Sequence, residues 1–354
     1  MPFIDQWINT IINNLPEWNH SQAKNDPLVR SEIKAFKQAT VFINRQKPFE
    51  EQLKKLAQIV ALRIADNHIT LKDKNNQPLI PFPPIQQNNL ALNKERLPTP
   101  HFIKKITVQK NQPDWLIISL LDMQTGIVAI PSFGGDITTQ TKARQDFITA
   151  FFEQKKQQNW QRIIFDFRGN TGGDSMIIKE IAERMSGKQI KYADKIELLN
   201  TLAGQKKQSE GYELPQEKTY SSLEPDDKYS GRILILQDRY NASATEGAIY
   251  MLTQLENTTT IGENTAGTFK GGATTTLSLP EGNLVIGTVY LERTDKNQTP
   301  VQEKKGLSPD IYCLSERAFE TACLLIKNEE KSKNTATLNT PLHQYRQANL
   351  KLKR

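Results

Sequence analysis

Ser243 stands in the run RILILQDRYNASATEGAIYML, between an apolar strand and a helix whose apolar positions include Ala248, Leu252 and Leu255. A serine at a strand-to-helix turn can expose its hydroxyl above a sheet as a nucleophile, although the GxSxG pattern itself is absent. Ser243-Ala244-Thr245-Glu246 also makes a capping box, with Ser243 as N-cap and Glu246 at N3. One position can serve both ends, and both readings stay open. A second strand, RIIFDF, runs into Gly169, Gly172 and Gly173 of RGNTGGD. Glycines there let backbone N–H groups approach a developing negative charge, and the next helix adds its dipole. The pattern is neither GxGxxG nor a Walker loop, so nucleotide binding is disfavoured, and a plain tight turn is the alternative. A serine nucleophile needs a base. The imidazoles on offer are His20, His68, His101 and His343, of which His68, after the helix in ALRIADNHITL, is the best placed. Two cysteines, Cys313 and Cys323, and four scattered histidines supply neither a disulfide framework nor a metal site. No cofactor is expected.

The elements that must position these residues read as α/β. WLIISLL (115 to 121), GIVAIPSF (126 to 133), RIIFDF (162 to 167) and RILIL (232 to 236) are strands, alternating with helices expected at 138–157, 176–186 and 244–255. TTTLSLP and NLVIGTVYL flank the hairpin signal Glu281-Gly282. The insert from Tyr192 to Tyr229 lacks clear periodicity and reads as a loop or lid. Ahead of this core, Leu53, Leu56, Ile59, Val60 and Ile64 form one stripe of an amphipathic helix that begins near Pro48. The expected division is a helical unit over 1–71, a linker with the IPFPP spacer over 72–114, the α/β core over 115–327 and a polar tail over 328–354.

The 354 residues suffice for two compact units and a sizeable core. Hydrophobic residues at 37% and charged ones at 24% exclude collagen-like and disordered classes. The longest apolar runs, about seven residues, are far short of the ~18 that span a bilayer as a helix. The net charge of +7 raises the question of nucleic acid. From residue 328 onward, however, six Lys or Arg stand against two Glu, so much of the excess lies in a solvated tail and no nucleic-acid partner is expected. The first residues, MPFIDQWINTIINNLPEW, lack the marks of a secretory signal. That reads as cytoplasmic if the N-terminus is native and as exported if a signal was removed.

Taken in order, these segments resemble the superfamily of C-terminal processing peptidases, tricorn-type peptidases and interphotoreceptor retinoid-binding protein repeats. GIVAIPSF looks like the family's glycine, isoleucine and phenylalanine strand, IIFDFRGNTGG like its "DLRGNxGG" segment and NASATE like its "SASE" turn, followed by GENTAG (262 to 267) and GLSPDI (306 to 311). The resemblance covers about residues 115 to 313 and implies a ClpP/crotonase-like core of βαβ units behind a small N-terminal helical domain. In the processing-peptidase branch a Ser/Lys dyad takes its lysine from a "GKG" where this chain has Thr268, with Lys270 two residues later. About 45 residues separate His68 from Trp115, too few for that branch's PDZ domain of ~90. The chain is closer to the tricorn and retinoid-binding branch, whose "DGHT" segment resembles Asp66-Asn67-His68-Ile69-Thr70 and whose "WEGxGVxPD" glutamate matches Glu303, with Gln302 where the tryptophan stands.

The resemblance implies a serine peptidase acting on peptides or unfolded proteins, with Ser243 as nucleophile, His68 as base and Glu303 in support. The oxyanion would be held by backbone N–H groups of Gly172 or Gly173 and of Ala244. Lys270 is the alternative base, and a non-catalytic peptide or hydrophobic-ligand binder on the same fold is the alternative function.

Overall fold

The computed structural model describes residues 3–64, 68–79, 115–120, 124–134, 141–214, 227–268, 272–295, 299–301 and 305–334. Four helices come first: α1 (Phe3–Asn14), α2 (Pro16–Asn19), α3 (Pro27–Thr40) and α4 (Phe49–Arg63). Asp26 caps α3 by accepting the Leu28 N–H at 2.8 Å, and Pro27 and Pro16 occupy first-turn positions that need no N–H donor. All five residues of the stripe expected around α4 are buried, with Pro48 at its N-cap.

A six-stranded sheet forms the centre. Its strands are β2 (Leu116–Leu120), β3 (Thr125–Ala129), β4 (Arg162–Asp166), β6 (Arg232–Gln237), β7 (Thr258–Gly262) and β11 (Ile311–Tyr312), in the order β11-β7-β6-β4-β3-β2. Only the β2–β3 pair is antiparallel; the rest are parallel. The crossovers are α5 (Thr141–Gln157) between β3 and β4, α6 (Met176–Ser186) after β4 and α8 (Ala244–Leu252) between β6 and β7. Strand side chains alternate between faces. Ile163, Phe165, Ile233 and Ile235 therefore join Phe151, Ile181 and Leu252 in one core, while Ile164, Leu234 and Leu236 pack on Phe319, Ala322 and Ile326 of α9 (Ala318–Asn334) on the other. Helices cover both faces, which is why the parallel strands read as continuous apolar runs. This is the expected α/β core.

The division along the chain differs from the expected one. β1 (Thr70–Asp73) crosses the boundary drawn at residue 71 and pairs antiparallel with β9 (Gly282–Gly287), which pairs with β8 (Thr274–Leu279). The helices pack on that small sheet: Trp7, Leu56, Leu71, Leu277, Leu284 and Ile286 share one core. The Trp7 Nε1–H donates to the Pro280 carbonyl at 3.0 Å, and the Ala203 N–H donates to Asn14 Oδ1 at 2.8 Å. Local periodicity finds each helix but not the sheet that its stripe covers. The helical unit is thus fastened to the core, and its removal would strip an apolar sheet face. Trp7→Ala is expected to cost about 3–5 kcal/mol in chemical unfolding, since a fully buried indole and its hydrogen bond are lost together.

Two further expectations are corrected. Among its described residues the insert is not irregular: it carries β5 (Lys195–Leu198) and α7 (Leu202–Ser209), and β5 pairs antiparallel with β10 (Val289–Glu292). The alternation in KIEL spans only four residues and neither face is deeply buried, so it does not stand out within a polar insert. The strand expected at 283–291 breaks at Thr288, whose N–H and hydroxyl turn back to the Ala273 carbonyl, sending β10 to β5 instead of β8. At the end of the chain, α9 runs to Asn334, past the expected tail boundary at 328. Residues 80–114 and 335–354 lie outside the described residues.

Candidate active site

β4 and β6 are neighbours in register, Asp166 opposite Leu236, so the turns leaving their C-terminal ends lie side by side. In a parallel sheet this end is where ligands and catalytic groups collect. The glycine turn is anchored first. Arg168 is fully buried and donates twice to Asp166, Nε to Oδ1 at 2.8 Å and Nη2 to Oδ2 at 2.6 Å, with Nη1 on the Ser315 carbonyl at 2.8 Å. Burial works against its charge, but the Asp166 carboxylate more than offsets this and holds the guanidinium above its ordinary range.

Beyond Arg168 the chain needs glycine for two different reasons. Gly172 has φ +117°, and a Cβ on it would lie 2.9 Å from the Ala242 carbonyl oxygen and 3.0 Å from the Ser243 Cβ. Gly173 has φ +126°, and a Cβ there would lie 2.1 Å from the Phe133 carbonyl. The Phe133 N–H donates to the Gly172 carbonyl at 3.0 Å and the Asp174 N–H to the Phe133 carbonyl at 2.9 Å, which locks the turn against the end of the segment after β3.

Ser243 precedes α8 with φ 54° and ψ −120°, a conformation that costs a non-glycine residue about 1–3 kcal/mol. Its surroundings impose it. Asn241, fully buried, donates through Nδ2 to the Phe167 carbonyl at 2.5 Å and the Asn170 carbonyl at 3.1 Å, and its own carbonyl accepts the Ala266 N–H at 2.8 Å. Asn170 Oδ1 accepts from the Gly172 N–H at 2.9 Å and from the Thr245 hydroxyl at 2.7 Å. The two turns and the segment after β7 are therefore one hydrogen-bonded block.

Glu246 is its hub. Fully buried, it accepts at Oε1 from the Thr265 hydroxyl at 2.5 Å and the Gly267 N–H at 2.9 Å, and at Oε2 from the Thr268 N–H at 2.6 Å and the Ser243 N–H at 3.2 Å. The Ser243 N–H also donates to the Thr268 carbonyl at 2.7 Å. Burial pushes the Glu246 carboxyl above its ordinary range, against the pull of those hydrogen bonds and of Arg293. The capping box marks this glutamate in the sequence, but only as a local cap. Its hold on residues 265–268, and the roles of Asn170 and Asn241, depend on partners about 20 and more than 70 residues away.

His68 Nε2 lies 3.0 Å from Ser243 Oγ, the two residues being 175 positions apart. α4 ends at Arg63, and His68 stands two residues before β1, whose ladder with β9 (Thr70 opposite Val285), together with buried Ile69 and Leu71, fixes the backbone beside it. Of the expected oxyanion donors, Gly172 is corrected: its N–H is already given to Asn170, and the residue is buried. Gly173 is exposed, and the N–H groups of Gly173 and Ala244 have no acceptor among the described residues. Glu303 and Lys270 lie outside the described residues. Cys313 and Cys323 are not joined in a disulfide, and no cluster of metal-ligating side chains occurs among the described residues. No helix among them is long and apolar enough to cross a membrane.

The sequence profile of peptidase family S41 matches residues 124–313. Among solved structures, a candidate peptidase from Parabacteroides merdae superposes with a TM-score of 0.61 at 16% identity, over 92% of this chain and 96% of that one. Mature CPAF in complex with lactacystin gives 0.55 at 11% identity, over 92% and 98%. A lipoprotein from Streptococcus agalactiae gives 0.50 at 13% identity, over 92% and 95%. At such identities the likeness is one of fold, and it extends through the N-terminal helices. A search of curated proteins gives no match.

Proposed function

The chain belongs to peptidase family S41, and on that premise we propose that it is a serine peptidase hydrolysing peptides or unfolded proteins, with Ser243 as nucleophile and His68 as base. The observation that carries this reading is the 3.0 Å approach of His68 Nε2 to Ser243 Oγ, within the reach that proton transfer requires. In the proposed cycle His68 takes the hydroxyl proton as Oγ bonds to the scissile carbonyl carbon. The oxyanion so formed is held by the N–H groups of Gly173 and Ala244, and each well-aimed donor is worth about 3–4 kcal/mol of barrier. The imidazolium then gives its proton to the amine nitrogen as the C–N bond breaks. Water attacks the acyl carbon as His68 takes a water proton, and the imidazolium returns that proton to Ser243 Oγ as the ester C–O bond breaks and the acid product leaves. Glu303, carried over from the family resemblance, would support the imidazole.

Labelling with a fluorophosphonate serine-hydrolase probe tests the assignment. Folded wild type is expected to label at Ser243, and Lys270→Ala is expected to label at the wild-type rate, within about twofold. A Lys270→Ala variant that folds but fails to label would transfer the role of base to that lysine. A folded wild type that resists the probe would favour a ligand-binding protein on this fold.

A further inference from the structure

The Glu246 hub poses a charge problem that its hydrogen bonds do not solve alone. Three of its four partners are backbone N–H donors and the fourth is the Thr265 hydroxyl, whose oxygen already accepts the Leu307 N–H at 2.7 Å, so the ionised carboxylate satisfies all four contacts at once. A protonated Glu246 would have to aim its proton at Thr265 Oγ1, the one partner able to accept it, leaving the Thr265 hydroxyl proton without this acceptor and weakening the charge-assisted bonds from the Ser243, Gly267 and Thr268 N–H groups. Holding an ionised carboxylate in a site with no solvent contact costs several kcal/mol unless an opposite charge compensates.

Arg293 is placed to supply that charge. It follows β10 and is 2% exposed. Its Nη2 lies 3.1 Å from where a Cβ on Gly247 would stand, so the guanidinium lies close against α8 at the residue after Glu246. Its Nε donates to the Tyr192 carbonyl at 3.1 Å, its Nη1 has no acceptor among the described residues, and its plane packs near the rings of Tyr192 (5.1 Å) and Tyr250 (5.8 Å). Asp194 is also nearby, but it is engaged by the Tyr250 hydroxyl at 2.8 Å and by Thr294. Among the described residues, His68, with Nε2 3.0 Å from Ser243 Oγ, also faces this turn.

We propose that Arg293 is a positioning residue for Ser243: its buried guanidinium keeps Glu246 ionised, and the ionised carboxylate holds the nucleophile turn in its strained conformation. This deepens the peptidase reading and rests on it for the link to catalysis. It also gives the β5–β10 ribbon a purpose, since Tyr192 at its base and Arg293 at its end bring the charge to α8.

Infrared spectroscopy reads the carboxyl itself. At about pH 7 the wild type is expected to show no C=O band from a buried protonated carboxyl, because ordinary carboxyls are ionised there. Arg293→Met and Arg293→Gln are each expected to show such a band, abolished by adding Glu246→Gln, while Arg293→Lys, which keeps the charge, shows none. Probe labelling at the same pH is expected to fall on the order of tenfold in the two neutral variants and to recover at least in part with lysine. Absence of the band in whichever neutral variant folds, or an equal band in Arg293→Lys, would overturn the proposal. The infrared result stands whether or not the wild type labels, so failure of the peptidase reading and failure of this inference are separable.

Discussion

Ser243→Ala and His68→Ala are each expected to lower hydrolysis of a denatured protein substrate by about 10⁴-fold or more, and the double variant is expected to lose little beyond either single one. The reason is that the hydroxyl and the imidazole act as one unit across their 3.0 Å contact: without the base the hydroxyl is a poor nucleophile, and without the nucleophile the base has nothing to deprotonate. Neither change should unfold the protein. His68 and Ser243 are each only part-buried, and the turn is held by Ser243 backbone bonds that alanine retains. The measurement is a steady-state rate on samples matched for unfolding midpoint. Losses that multiply in the double variant would mean that the two side chains act independently, and the proposed proton transfer would then be wrong.

Gly173→Ala is expected to be nearly as severe for a different reason. The added Cβ would sit 2.1 Å from the Phe133 carbonyl on a backbone already at φ +126°, so the turn must move. Destabilisation of about 3 kcal/mol or more is expected in chemical unfolding, from steric overlap and backbone strain together. The variant that remains folded should label at least on the order of 10²-fold more slowly, because the displaced N–H no longer faces the oxyanion. Gly134→Ala is the control. Among the described residues its Cβ would meet only the Ser132 hydroxyl, at 3.3 Å, and should cost about 1 kcal/mol or less. Wild-type labelling in a folded Gly173→Ala protein would remove that residue from the proposed oxyanion site.

These expectations draw unequally on sequence and structure. The β4 and β6 strands, the helices after them and the glycine and serine turns between were legible because each is written in a contiguous stretch: apolar runs of four to six residues, a helical stripe, glycines where φ must be positive. The insert is not legible because the alternation of β5 covers only four half-buried residues, and β9 and β10 read as one strand because a break at one threonine leaves the apolar pattern uninterrupted.

The sequence by itself determined the α/β class, the two turns, Ser243 as the nucleophile candidate and, through ordered motifs, the family resemblance. Only the tertiary structure decided what those residues touch. It brought His68 across 175 positions to Ser243 through a strand pairing that no local pattern encodes. It gave the Gly172 N–H to Asn170, leaving Gly173, and it made Glu246 the centre of a buried network with Arg293 beside it. The physical reason is range. Propensity, capping and turn chemistry act within a few residues of the chain, whereas proton transfer, oxyanion binding and charge compensation depend on distances of about 3 Å between groups that only the packed fold sets.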